Sequence, residues 1–309
     1  MKKIYLLLFI VFSVCTVTAQ TTHRYRFGGG LHELSAKGPV LGAHCAGSYK
    51  HESLPAGISK NVYRFEKGCG LAYDDNSKNI LSSGSYTIEM YFKLDTISGY
   101  KKLIDFDSLS TDAGFYNQSG KLVLYSTFTS ADSFLGDNTY NYVVVTRDGT
   151  TKRMYVYVNN KVAGTLFDST GRYAYGTDKV LVFFEDDNGT GGEQTGGSVA
   201  MINISDQVMD SNTIKSNYAS LANRMSIDNA PGASVAEVYP NPVGDQLHIS
   251  TTVAADITIT DVTGRTTAAF SLSQGKHTVP LQSYQPGIYF VKLSDKAAGA
   301  NVIYKIVKQ

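Results

Sequence analysis

Two prolines within three residues, in Tyr239-Pro240-Asn241-Pro242, rule out most of what this stretch could otherwise become. Each proline fixes φ, lacks a donor and pushes the residue before it toward extended geometry, so neither a helix interior nor a central strand can run through here. Gly244-Asp245 then turns the chain, and Gln246-Leu247-His248-Ile249 alternates polar with apolar as a half-buried strand does. The stretch opens a separate β module. Before it, residues 226–236 (Ser-Ile-Asp-Asn-Ala-Pro-Gly-Ala-Ser-Val-Ala) are small and polar and read as a linker.

The chain start has its own pattern. Met1-Lys2-Lys3 is followed by an apolar run from Ile4 to Val14, and Val17-Thr18-Ala19 supplies small residues for cleavage. That run is too short to span a bilayer and reads as a secretory signal peptide over residues 1–19. Cys15 falls inside it. Without Lys2 and Lys3, 26 basic side chains face 27 acidic ones, a net charge of −1. Such a balance provides no electrostatic attraction for nucleic acid or an anionic membrane surface, and no later stretch is apolar enough for a transmembrane helix. Export leaves Cys45 and Cys69 in an oxidising compartment, either bridged or as two buried thiols.

From 20 to 225 the chain reads as short strands between turns. Tyrosine (21), glycine (29) and few charges (18%) over the whole chain, without helical periodicity, indicate an all-β protein. In Ser85–Leu94, Tyr86, Ile88, Met90, Phe92 and Leu94 share one face, and Thr87, Glu89 and Tyr91 are expected on a wetter one. Asp148-Gly149 signals a tight turn after Tyr142–Arg147, and Asn159-Asn160 a two-residue hairpin after Met154–Val158. Val180–Phe184 is apolar throughout, as in a strand buried on both faces. Residues 209–221 suit a short helix or turn packed on the end of a sandwich. About fourteen strands in one domain favour a two-sheet jelly roll.

The succession Ser85–Leu94, Tyr142–Gly149, Met154–Gly164 and Val180–Ile204 resembles the laminin-G-like and pentraxin group of concanavalin A-like sandwiches. The loop Glu185-Asp186-Asp187-Asn188-Gly189-Thr190-Gly191-Gly192-Glu193-Gln194 is rich in oxygen donors and flexible enough to wrap Ca²⁺, or it is an ordinary solvated loop. The pentraxin resemblance implies calcium there, with Glu185, Asp186, Asp187 and Glu193 as ligands. Asp75, in a second acidic turn, completes the expected set. Asp105 and Asp107 read as outward, solvated carboxylates. Tyr140, Tyr142, Tyr155, Tyr157, Tyr173 and Tyr175 suit either sheet packing or stacking on sugar rings.

Catalytic patterns are missing from the domain. It has no Glu-x-Asp-x-x-Glu strand of the kind that retaining glycanases on this fold use. Gly114–Gln118 is similar to the Tyr-Asn-Gln strand of alginate-lyase-like sandwiches, but residues 20–225 lack the Arg-x-Glu-Leu and Gln-x-His strands that accompany it. Tyr116 therefore reads as a strand residue.

The last 73 residues, 237–309, carry seven or so short strands and read as a smaller Ig-like β-sandwich. Four elements in order resemble the type A C-terminal sorting domain of the type IX secretion system. They are Tyr239-Pro240-Asn241-Pro242 with Leu247-His248-Ile249, then Asp261–Arg265 including Gly264, then Gly287–Val291 including Tyr289, and the terminal Lys305–Lys308. The resemblance implies passage through the periplasm and the outer membrane, with the secretion machinery as partner and a cell-surface or secreted destination. The leading expectation is a non-catalytic binding or adhesion protein for a glycan or an extracellular protein. A polysaccharide hydrolase or lyase on the same fold, and a structural surface component, are the alternatives.

Overall fold

A computed structural model describes residues 20–55, 57–174, 176–187, 192–225, 236–251, 253–295 and 301–309. The expected signal peptide, residues 226–235 of the expected linker, Tyr175 and residues 188–191 of the acidic loop lie outside the described residues.

The first unit begins with β1 (Thr22–Tyr25), β2 (Gly42–Ala43), β3 (Ser48–Leu54), β4 (Ile58–Phe65), β5 (Leu71–Asp74), β6 (Tyr86–Leu94) and β7 (Tyr100–Asp105). It continues with β8 (Gly114–Gln118), β9 (Lys121–Leu124), β10 (Phe128–Thr129), β11 (Asn141–Arg147), β12 (Arg153–Val158), β13 (Lys161–Phe167), β14 (Val180–Phe183) and β15 (Gly197–Ser205). Helices α1 (Ser211–Ala219) and α2 (Leu221–Met225) end it. One antiparallel sheet runs β13-β12-β11-β6-β15-β4-β3, with β1 also paired to β15. The other runs β10-β9-β8-β7-β14-β5-β2. Their inner faces share one core, in which Phe65 stacks on Phe184 with ring centroids 4.5 Å apart. Burying each such ring contributes roughly 1.5–3 kcal/mol.

Local sequence accounts for the hairpin at Asn159-Asn160. Both residues take positive φ (45° and 70°), which a two-residue turn matching strand twist requires, and Val158 pairs with Lys161 across it. The Asp148-Gly149 expectation needs correction. Residues 148–152 form a wider loop in which Asp148 Oδ1 accepts from the Thr150 and Thr151 amides. Gly149 is required there for clearance, since a Cβ would lie 2.1 Å from the Ser83 carbonyl oxygen.

The wetter face of β6 is another correction. Thr87, Glu89 and Tyr91 are buried, because α1 and α2 lie across that face instead of capping the sandwich end. Asp210 caps α1 by accepting from the Asn212 and Thr213 amides, and Ile214, Leu221 and Met225 pack on Tyr91, Tyr142 and Met201. Beneath them Arg224 donates to both oxygens of Glu89 (2.8 and 2.9 Å).

The second unit has β16 (Ala236–Tyr239), β17 (Gln246–Thr251), β18 (Ala255–Asp261), β19 (Thr266–Leu272), β20 (Gly275–Pro280), β21 (Gly287–Asp295) and β22 (Asn301–Lys308). Sheets ordered β16-β17-β20 and β19-β18-β21-β22 enclose Leu247, Ile249, Ile257, Val291 and Ile306. Ala236, expected to end the linker, pairs with Thr251 and sits in this core.

Candidate functional site

The outer face of the second sheet gathers charge that the linear sequence scatters. β7 lies between β8 and β14, and Lys102 faces Tyr116 in the β7–β8 register. Lys102 Nζ is 2.8 Å from Asp105 Oδ2 and 3.0 Å from Asp186 Oδ1, and all three side chains are fully enclosed. The ammonium also lies over the Tyr116 ring, 5.2 Å from its centroid, and the Tyr116 hydroxyl donates to Asp186 Oδ1 at 3.4 Å. Tyr100 meets Tyr116 edge-on at 5.9 Å, and Tyr125 lies 5.9 Å from the same ring. Tyr100 and Tyr125 are half-buried, so part of each ring is accessible.

Carboxylates converge beside them. One oxygen each of Asp112, Asp186 and Asp187 lies within 4.8 Å of the others. Asp112 comes from the loop after β7 and Asp186 and Asp187 from the chain leaving β14. The chain returning toward β15 is tied down by the Lys102 amide, which donates to the Glu193 carbonyl (3.0 Å). Burial raises the Glu193 carboxyl above the usual carboxylate range, and Asp186, Asp112 and Asp187 push the same way against Lys102. Burial likewise raises Tyr116, with Asp186 and Asp112 adding to it. For Lys102 burial disfavours the charge, but the hydrogen bonds and charges of Asp105 and Asp186 outweigh it and hold the ammonium above its ordinary value.

Of the expected ligands, Asp186 and Asp187 come together, joined by Asp112, whereas the Glu193 carboxyl lies outside that group and only feels its charge. Glu185 turns away, accepting from the Gly70 amide (3.1 Å) and contacting His44 Nδ1. Cys45 and Cys69, bonded to each other with Cα atoms 5.3 Å apart, hold His44 and Gly70 in place for this contact. Asp75 does not belong to the set. The β5–β14 register puts it at the opposite end of that ladder, and its oxygens accept from the Tyr73 hydroxyl and the Ile80 and Leu81 amides. Asp105 is also corrected: it is wholly buried, accepting from Lys102 and from the Asp107 and Leu109 amides. Tyr140, Tyr142, Tyr157 and Tyr173 are buried packing residues. Sequence reading missed Asp112, Tyr100 and Lys102. The one signal was Lys102 itself, a lysine inside a short strand and followed by Leu103-Ile104, which has to find acidic partners if buried.

In the second unit the expected sorting residues meet at one end. Asn241 clamps the proline loop to β22, its Nδ2 donating to the Lys305 carbonyl (2.9 Å) and its Oδ1 accepting from the Val307 amide (3.0 Å). Both Tyr239-Pro240 and Asn241-Pro242 are cis. Asp261 pairs with Tyr289, and Tyr289 with Ile306, so the three motifs form one row across β18, β21 and β22. The turn after Asp261 needs Gly264 at φ 83° and is closed by Arg265 Nε on Asp261 Oδ2 at 3.0 Å. Gly287 begins β21 opposite Lys308.

A family model for concanavalin A-like lectins/glucanases matches residues 71–215, and one for the secretion system C-terminal sorting domain matches residues 237–309. The chain joins a concanavalin A-like domain to a type IX secretion sorting domain. The sorting domain directs the chain to the cell surface or the medium. Among the described residues no helix is long and apolar enough to cross a membrane. No curated protein matches the chain.

Solved structures similar to it include a botulinum neurotoxin serotype D binding domain (12% identity, TM-score 0.49, 89% of this chain and 72% of that one). Another is domain 4 of AbnA, a GH43 extracellular arabinanase from Geobacillus stearothermophilus, in complex with arabinotriose (9% identity, TM-score 0.48, 63% and 96%). A third belongs to botulinum neurotoxin type C, whose cell entry depends upon interaction with two ganglioside molecules (12% identity, TM-score 0.46, 87% of this chain). The chain spans 65% of that last structure.

Proposed function

We propose that this protein is a non-catalytic glycan-binding protein of the cell surface or secreted pool, with its ligand site at the Asp112–Asp186–Asp187 cluster and a Ca²⁺ ion bridging to the sugar. The observation that carries the reading is the convergence of three carboxylate oxygens within 4.8 Å from two separate loops, beside partly exposed tyrosines. Oxygens so spaced can share one hard cation, whose bonds to oxygen are about 2.3–2.6 Å. Such an ion relieves the carboxylate repulsion that adds to burial in raising Glu193, and offers open positions to a pair of sugar hydroxyls. Tyr100 and Tyr125 would give the ring an aromatic edge to pack on. Lys102 would not be displaced, because it balances Asp105 and one oxygen of Asp186 from below.

A glycan array probed with the full chain, with and without calcium, tests this. Binding that vanishes in chelator and in Asp112→Asn/Asp187→Asn supports it; binding indifferent to both overturns it.

A hydrolase is favoured by one observation, the position of Glu193 close enough to Asp112, Asp186 and Asp187 that their charges add to burial in raising its carboxyl, the direction a general acid requires. Reducing-sugar release from a polysaccharide panel, abolished in Glu193→Gln, would establish that reading over the first.

A further inference from the structure

A cleft of about 770 Å³ opens on the other side of the loop that carries Asp112. Its walls are the 106–113 loop, which contributes Asp107 and Thr111, and the 170–174 loop, which contributes Thr170 and Arg172, with Ser82 and Lys179 at its margins. That volume lies within the range of small-molecule sites. We infer that this cleft is a second ligand site, and that it takes an acidic sugar whose carboxylate is held by Arg172.

Two buried side-chain polar atoms lack a hydrogen-bond partner among the described residues, Arg172 Nε and Ser108 Oγ, and both belong to the loops that wall this cleft. Buried polar groups are otherwise almost always paired, so the unpaired Nε of Arg172, a residue that lines the cleft as Ser108 does not, marks where a partner is wanted. Arg172 Nη1 donates to Ser126 Oγ at 3.3 Å, which orients the guanidinium. A guanidinium with a free N–H matches a carboxylate by paired parallel hydrogen bonds.

The charge balance points the same way. Among the described lining residues Arg172 and Lys179 stand against one acid, Asp107, an oxygen of which already accepts from Thr111 Oγ1 at 3.0 Å, while Lys179 Nζ also donates to Asn79 Oδ1 at 2.7 Å. Thr170 and Ser82 offer hydroxyls to a sugar's own.

The arginine's loop is held before any ligand arrives. Asp168 pairs with the buried Arg147 at 2.7 Å and accepts from the Arg172 amide at 2.8 Å and the Tyr173 amide at 3.3 Å. Tyr173 is fully buried and its hydroxyl donates to the Tyr125 carbonyl at 2.8 Å. A wall fixed in this way loses little entropy on binding.

The test uses the full chain in chelator, so that it does not depend on the calcium site. Galacturonate trimer, mannuronate trimer and sialyllactose are each titrated against their neutral methyl esters, with amide chemical shifts recorded. The expected result is at least one acid binding about tenfold or more tightly than its ester, with shifts centred on Thr170–Ala174. Arg172→Gln should erase that preference, and Arg172→Lys should retain part of it. Should Arg172→Gln fail to fold, the shift map and Arg172→Lys still decide. No binding by any of the three acids at millimolar concentration, equal binding of acid and ester, shifts elsewhere, or an unchanged preference in Arg172→Gln would overturn the assignment.

Discussion

Lys102 and Asp186 form a salt bridge of 3.0 Å in which neither side chain reaches solvent. The pair joins β7 to the chain leaving β14, and so holds Asp186 against the sheet. A buried pair of this kind adds little net stability over an apolar replacement of both partners, but removing one partner strands a charge.

Lys102→Met is therefore expected to cost about 3–5 kcal/mol, since Asp105 and Asp186 lose their common cation. Denaturant unfolding followed by tyrosine fluorescence measures it. Because the folded protein raises Lys102, its contribution is fully present below the unfolded lysine value of about 10.4 and is lost as pH rises through the folded one. A mutant no less stable than the parent would refute the role given to this lysine.

Glu89 titrates with the opposite sense. Burial opposes its charge, but Arg224, Tyr142 and Asn203 together hold it below the usual carboxylate range. Its contribution is present above the unfolded value of about 4.3 and disappears as pH falls through the folded one. Arg224→Ala should cost about 3–5 kcal/mol and weaken amide-exchange protection first in α1 and α2. Uniform loss of protection across both sheets would argue against a local role.

Glu193 is raised, so stability should decline as pH climbs from about 4.3 to its folded value and the carboxylate is forced to ionise among aspartates. Glu193→Gln should flatten that slope and melt higher than the parent near neutral pH without calcium. If the proposed ion binds, millimolar Ca²⁺ should narrow the difference.

Reduction of Cys45–Cys69 opens a loop with a sequence separation of 24 and should cost about 3 kcal/mol by chain entropy. The His44–Glu185 contact should loosen with it. A Cys45→Ser/Cys69→Ser variant compared with the oxidised parent by thermal melting checks the magnitude.

Asn241→Ala removes two hydrogen bonds that seat the proline loop on β22. About 1–2 kcal/mol of sorting-domain stability should go with them. The secreted fraction of the full chain should fall, and immunoblots of medium against cells would measure it. An unchanged fraction with a destabilised domain would separate folding from recognition.

Much of this architecture could be read from local chemistry. Alternation picked out β6 and its core-facing residues, Asn159-Asn160 specified a hairpin, and Tyr239–Pro242 marked the start of the sorting sandwich. These features depend on residues within a few positions of each other, where dihedral preference and side-chain period decide the outcome.

The candidate site depended on the fold. Asp112 and Asp186 become neighbours because β14 joins the sheet beside β7, a pairing between distant segments that no local pattern encodes. The same sheet order removed Asp75 from the expected ligand set, and two helices following β15 turned the polar face of β6 into a buried one. The sequence by itself determined an all-β cargo and its export domain, because strand period and turn chemistry are local properties. Which carboxylates share a site was decided only in the tertiary structure, where burial and strand order set the charges against one another.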